Sequence, residues 1–379
     1  MNPLLRGIAP SLIRAINAKK RPGDIDLGLG EPTLRPDPAP FEAALERVRR
    51  EGQPYSPNAG FTELGEAIAR YHAPPERGDA ANVCVTVGSE EAIYLAIKTA
   101  VDPARDEVLV VEPCYLAYPK LCALEGIRHR TVPLSGDREF APSAAAVLAQ
   151  VGPDTRLIVL NSPCNPTGRV WPEAELRALA DGRRARPGPP VRVLADEVYR
   201  ELYYTPEPPA SIARFYEHAM VAGSLSKSNA LTGLRLGWLI ADAETTAAAV
   251  KVHQLVNTAA ATFSQWVAME VFARPESLSA HRPLYAERRR VLLDAARESR
   301  VPLVAPEGAF YAMVRLPPAL EGDSLGAAER LLDERRVVTV PGIAFGRSGE
   351  GWLRVSWVAE EDALRDGLAA IGAFLAAHG

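Results

Sequence analysis

Cysteine and histidine are scarce in this chain, four and six of its 379 residues. Cys84, Cys114, Cys122 and Cys164 form no C-x-x-C pair, and no histidine cluster lies near them. That spacing argues against both a zinc site and a disulfide framework. Free thiols in a chain of this length suit a reducing compartment, and a cytoplasmic location is expected. A charge excess is missing as well: 43 Lys and Arg stand against 47 Asp and Glu, a net charge of −4. Such a balance leaves no electrostatic footprint for nucleic acid or an anionic membrane. No stretch approaches the roughly 20 apolar residues of a membrane span. The N-terminal segment is interrupted by Arg6, Pro10 and Arg14 before an apolar run of leader length develops. Internal repeats and low-complexity blocks are absent too.

What remains is ordinary globular composition, 47% hydrophobic and 24% charged. The length is too great for one small core and sufficient for two lobes. Many of the 33 prolines fall in connectors such as "YYTPEPPAS" and "RARPGPPV", which read as stiff loops flanked by apolar segments. Between 82 and 242, short β-branched runs alternate with helical patterns. Strands are predicted at 82–88, 106–113, 155–163, 191–197, 219–226 and 234–242, and helices at 89–101, 115–126 and 172–185. Continuous apolar strands separated by helices imply a parallel sheet covered on both faces. A long helical stretch is expected over 243–273. Beyond about 280 the order helix, strands, helix indicates a smaller α+β lobe, which the first thirty or so residues are expected to join. The predicted division is a large domain at 35–270 and a small one made of 1–34 and 271–379.

Open parallel sheets bind ligands beyond the carboxyl ends of their strands, so the residues there carry the information. After the first strand, Gly88-Ser89-Glu90 opens a helix, whose free N–H groups and dipole favour an anion. The same residues equally make a plain helix start, and Glu90 and Glu91 would have to point away from a phosphate. "NSPCNPTG" (161–168) is strong turn chemistry. It is either a loop or a rigid frame that aims Asn165 at a ligand oxygen. Asp196 ends an apolar strand, where a carboxylate is costly unless paired. It either caps a helix or meets a protonated ring nitrogen. "SLSKSNALTGLRLGW" (224–238) sets Lys227 between small hydroxyls, with an isolated Arg235 eight residues on. That pattern suits an amine beside a held anion better than a charged surface face.

Taken together, S-x-S-K-x7-R, "NPTG" and "ADEVY" in this order resemble the class I/II pyridoxal-phosphate-dependent aminotransferases of fold type I. The resemblance runs from "GLGEPT" (28–33) to "WLRVSW" (352–357), almost the whole chain. It implies a large domain with a mostly parallel seven-stranded sheet covered by helices, plus a smaller α+β domain. It implies pyridoxal 5′-phosphate as cofactor, carried covalently by Lys227, an amine of ordinary pKa about 10.4 made usable by its surroundings. By the same resemblance Asp196 pairs with the pyridinium nitrogen, and Tyr199 and Asn165 donate to the ring hydroxyl oxygen. Tyr115 stacks on the ring. Ser224, Ser226 and Arg235 clamp the phosphate with the backbone N–H groups of Ser89 and Glu90, the arginine offering a planar fork. Tyr55 reaches the phosphate of a neighbouring subunit, which implies a homodimer. Arg354 grips the substrate α-carboxylate, and the backbone at Gly30 approaches it.

The activity implied is transfer of the amino group of an L-amino acid to a 2-oxo acid, in two half-reactions with ping-pong kinetics. The motifs do not separate this from elimination at the same site, as in a C–S β-lyase or another amino-acid tailoring enzyme. A non-catalytic effector-binding module is the remaining alternative; the 25 or so residues before the motifs are too few for the winged helix such regulators carry. No counterpart of a second arginine for a dicarboxylate side chain is evident. Arg35 is either an entrance residue or a solvated loop residue.

Overall fold

The computed structural model describes residues 3–72 and 79–379. In chain order its strands are β1 (Ile25–Asp26), β2 (Val83–Thr86), β3 (Glu107–Glu112), β4 (Arg128–Pro133), β5 (Thr155–Asn161) and β6 (Arg192–Asp196). They continue with β7 (Ala219–Ser224), β8 (Gly237–Ile240), β9 (Tyr311–Arg315), β10 (Val337–Val338), β11 (Val340–Pro341) and β12 (Trp352–Ser356).

Seven of these form one sheet in the order β2-β8-β7-β6-β5-β3-β4. The pairs β3/β4, β3/β5, β5/β6 and β6/β7 are parallel, as continuous apolar strands between helices require. Every residue of β2, β3, β7 and β8 is buried, because helices cover both faces. The sequence predicts a parallel sheet, and β8 departs from it, running antiparallel to both β7 and β2. The reason is local. Residues 225–236, between β7 and β8, contain no crossover helix, and without one a chain can only return antiparallel. One consequence is that the start of β8 lies at the same rim as the ends of its parallel neighbours.

Two other departures have equally plain causes. β4, "RHRTVP", was not predicted because it is a polar edge strand: Arg128, His129 and Arg130 are exposed. Arg130 holds Glu107 of β3 through two bonds of 2.9 and 2.6 Å. The predicted helix over 243–273 is two helices, Ala243–Asn257 and Thr262–Phe272. They part at Thr258, a β-branched residue at φ 66°, which cannot continue a helix.

The remaining strands make a three-stranded antiparallel sheet, β11-β12-β9, and a parallel pair, β1/β10. Helices Arg282–Glu298, Ser324–Arg335 and Glu361–His378 pack on them. Ile16 and Leu27 from the N-terminal segment share this core with Tyr285, Phe310, Leu353 and Phe374. The same cluster takes in Val198, Tyr199 and Leu202, just beyond β6, so the apolar packing is continuous up to the rim of the large sheet.

Close packing under β7 gives a direct test of the fold. A Cβ on Gly223 would lie 2.2 Å from Nε1 of Trp238, a buried indole that donates to His72 Nε2 at 2.9 Å. Gly223→Ala should therefore cost about 1–3 kcal/mol by overpacking. Urea denaturation would show this as a lower midpoint at unchanged slope. A midpoint equal to that of the parent would mean that the indole has room to move.

Candidate active site

The strand ends converge. β2 leads into Gly88-Ser89, β3 into Tyr115, β5 into Asn165, β6 into Tyr199 and β7 into Ser226-Lys227. The reversed β8 is entered through Arg235. A cavity of about 350 Å³ opens at this rim. Its wall includes Gly30, Ser89, Glu90, Tyr115, Asn165, Asp196, Tyr199, Ser226, Lys227, Arg235 and Arg354, all singled out from the sequence.

The anion end is built from glycines and helix geometry. Helix Ser89–Ala100 starts at Gly88, which has φ 79°. A Cβ there would fall 2.6 Å from Nη2 of Arg235, so only glycine lets the guanidinium lie over the helix start. A Cβ on Gly237 would come within 2.4 Å of the Ser89 nitrogen. Arg235 itself is left-handed at φ 50°, anchored by Nη1 donating to the Thr232 carbonyl at 3.0 Å. Glu91 turns away from the cavity, as the anion reading requires. Its Oε2 accepts the Val87 N–H at 2.5 Å, and its Oε1 takes His253 Nδ1 and Asn257 Nδ2, each at 2.7 Å. Burial would raise its carboxyl, but these hydrogen bonds outweigh it and hold Glu91 below the ordinary range. Glu90 does not turn away; it is exposed and lines the cavity.

At the opposite end Arg354 is 2% exposed. Its Nη2 donates to the Gly28 carbonyl at 2.7 Å and its Nη1 to Asn165 Oδ1 at 3.1 Å, while the guanidinium carbon lies 4.3 Å from the Tyr311 ring centroid. Its Nε is buried and has no hydrogen-bond partner among the described residues. Lys227 donates to the Gly30 carbonyl at 3.0 Å. Burial, with Arg354 and Arg235 nearby, lowers its amine to about 8 despite the opposing pull of Glu31 and Asp196. Asp196 is 3% exposed, and burial raises its carboxyl to about 6 even though Tyr118, the Val198 N–H and Lys227 pull it down. The cavity thus holds a carboxylate, an amine near neutrality and two guanidinium groups, a set suited to moving a proton beside a bound dianion.

Three residues singled out from the sequence lie elsewhere. Ser224 is buried behind the wall; its hydroxyl donates to the Leu236 carbonyl or to Ser226 Oγ, each 2.8 Å away, and accepts the Ser226 N–H. It ties the Lys227 loop to β8. Tyr55 is 88% exposed and does not line the cavity of its own chain. Arg35 is exposed and outside the wall. Sequence reasoning missed Ile13, Glu31, Thr232 and Tyr311. Glu31 and Thr232 hydrogen-bond each other at 2.5 Å across the mouth. Tyr311 lies 3.1 Å from the Tyr199 hydroxyl and donates to the Gly30 carbonyl at 3.2 Å. The only signal for Tyr311 was a phenol inside an apolar strand, where a hydroxyl needs a partner.

Residues 22–371 match the model of the family "Aminotransferase class I and II", and the chain belongs to that family, which uses pyridoxal phosphate. It is an aminotransferase. Among relatives, it is 31% identical to the aspartate aminotransferase of Pyrococcus horikoshii, over 92% of this chain and 89% of that one. It is 32% identical to the aspartate/prephenate aminotransferase of Thermus thermophilus, over 96% of each. The solved structure of the Thermus thermophilus aspartate aminotransferase with maleate superposes with a TM-score of 0.91, covering 99% of both chains at 31% identity. The fold is that of an aspartate aminotransferase, as the sequence implies. Among the described residues no helix is long and apolar enough to cross a membrane.

The lowered amine is measurable in the cofactor-free protein. An ordinary lysine becomes a nucleophile only as pH approaches about 10.4. Lys227, displaced downward, should lose its proton through about pH 8. Trinitrobenzenesulfonate labelling, read peptide by peptide, should rise at Lys227 some two units before it rises at exposed lysines. Coincident profiles would contradict the effect of burial.

Proposed function

We propose that this chain is a pyridoxal-phosphate-dependent aminotransferase of L-amino acids and 2-oxo acids, working by a ping-pong mechanism from the cavity described above. The observation that carries the reading is the meeting of a half-buried Lys227 and a buried Asp196 in one cavity whose far end is an anion cradle of Gly88, Ser89 and Arg235. These groups fit the cofactor: a dianion for the cradle, a basic ring nitrogen for the acid and an aldehyde for the amine. When bound, pyridoxal phosphate supplies an aldehyde that condenses with amines and a ring that withdraws the electron pair released at Cα.

The chain's own residues do the rest. Arg235, the Ser89 N–H and the Ser226 hydroxyl hold the phosphate. Asp196 stays ionised and keeps the ring nitrogen protonated; Asn165 and Tyr199 donate toward the ring hydroxyl oxygen; Tyr115 covers the ring. Arg354 takes the α-carboxylate as a bidentate fork, and the Gly30 backbone limits where that carboxylate sits. Lys227 Nζ removes the Cα proton and returns it one carbon away. The relatives' names, all aminotransferases, favour transfer over elimination. We also propose the domain division 35–270 against 1–34 with 271–379, so that the cavity sits at the seam. A homodimer completes the site, with the partner subunit's Tyr55 on the phosphate. The exposure of Tyr55, Leu255 and Val256, at 88, 87 and 60%, supports a covered face there.

The amino donor we propose has a neutral or cationic side chain. The wall's cations are Lys227, Arg235 and Arg354, each already engaged, whereas Glu31 and Glu90 also line it. A distal carboxylate would meet like charge and find no partner from its own subunit among the described residues.

Borohydride reduction of the yellow holoenzyme should fix a pyridoxyl group on Lys227 alone, located by mass spectrometry. Colourless protein that takes up no cofactor, or an adduct on another lysine, would refute the assignment. With the same oxo-acid acceptor, kcat/KM for phenylalanine or leucine should exceed that for aspartate by about tenfold or more. A preference for aspartate would overturn the reading of Glu31 and Glu90 while leaving the cofactor site intact.

A further inference from the structure

Asp196 is the ionised partner that the proposed reaction needs, and its burial works against that charge. It ends β6 in a buried position, where desolvation favours the neutral acid. Among its neighbours, Lys227 helps its charge and Glu197 opposes it. Its two oxygens are treated differently. Oδ1 accepts the Val198 N–H at a long 3.3 Å, whereas Oδ2 accepts the hydroxyl of Tyr118 at 2.6 Å. Tyr118 is 1% exposed and stands outside the cavity wall, in the first turn of helix Ala117–Leu124. Its ring meets that of Tyr115 edge-on, with centroids 5.7 Å apart and planes at 86°. Tyr115 does line the cavity. One buried phenol therefore contacts both the carboxylate and the ring that faces the ligand.

We infer that Tyr118 is a positioning residue for the aminotransferase reaction: its hydroxyl fixes the rotamer and the charge of Asp196, and its ring sets the plane of Tyr115. The phenol is the right donor for this task. Its own proton is held firmly, because burial and the adjacent Asp196 raise it well above the ordinary tyrosine range. It therefore donates to the carboxylate and does not compete with it for ionisation. A hydrogen bond to a buried charged group is among the stronger ones a protein makes. Its loss makes Asp196 more basic, and the shared proton then moves from the ring nitrogen toward the carboxylate. The inference rests on the cofactor reading above, and the two can fail separately. The Lys227 adduct tests whether the cofactor is there; the experiment below tests what Tyr118 does once it is.

The test uses holoenzyme carrying Tyr118→Phe, which keeps the ring against Tyr115 and removes only the hydroxyl. kcat should fall by about 10- to 100-fold, with KM for the amino acid within about twofold. In protein reconstituted with ¹⁵N-labelled pyridoxal phosphate, the ring-nitrogen shift should move toward the unprotonated value. Site-specific 3-fluorotyrosine at position 118, a stronger donor of nearly the same shape, should move that shift the opposite way and preserve kcat. A Tyr118→Phe holoenzyme with parental kcat overturns the proposal. So does a fall in kcat with an unmoved nitrogen shift, since that would be packing alone. If the phenylalanine variant does not fold, the fluorotyrosine protein decides, and a nitrogen shift equal to the parent's overturns the proposal.

Discussion

Everything at this rim depends on burying opposite charges close enough to sustain one another. Asp196 and Arg354 are buried and Lys227 is half-buried, and each charge would be costly without polar partners. The structure meets that cost with neighbouring groups. Asp196 takes a phenol and an amide; Arg354 takes two carbonyl-type oxygens and an aromatic face; Lys227 takes the Gly30 carbonyl. What these partners cannot fully offset appears as displaced acidities: a carboxyl raised to about 6 and an amine lowered to about 8. Those displacements bring both groups into the range where a proton can be exchanged near neutral pH.

The geometry that permits this is the reversal of β8. Five parallel strand ends deliver Ser89, Tyr115, Asn165, Tyr199 and Lys227 to one rim, as the handed crossovers of an α/β sheet dictate. Arg235 precedes a strand rather than following one. It would face the opposite rim if β8 ran with its neighbours. The short connection from β7 turns the strand round and returns the arginine to the start of helix Ser89–Ala100, where Gly88 and Gly237 give it room. The spacing of seven residues between Lys227 and Arg235 is thus the length of a turn at the edge of the cavity, and Ser224 bonds across that turn to the Leu236 carbonyl.

The two ends of the chain supply the other side of the cleft. β1 pairs with β10, and the segment that follows β1 carries Gly28, Gly30 and Glu31 past Arg354. Tyr311, from β9, links the Gly30 carbonyl to the Tyr199 hydroxyl, so the small antiparallel sheet and the turn after β6 are held in one register. Arg354 is therefore located relative to the turn after β6 by these hydrogen bonds and by continuous apolar packing.

The amino-acid sequence by itself determined the covered sheet, the rim on which function lies and the residues that end each strand there. Those features are written locally: apolar runs of strand length, turn residues after them, and an amine among hydroxyls. It also carried Gly30 and Arg354, through resemblance rather than through any local signal. Tertiary structure alone decided the direction of β8, the edge strand β4 and the break at Thr258. These follow from which neighbour a segment pairs with, and pairing is not encoded within the segment. The roles of Glu31, Tyr118 and Tyr311 were hidden for the same reason. Each is an ordinary residue in its own element, and it gains chemistry only from a side chain or carbonyl brought alongside by folding, between 78 and 281 residues away for Tyr118 and Tyr311.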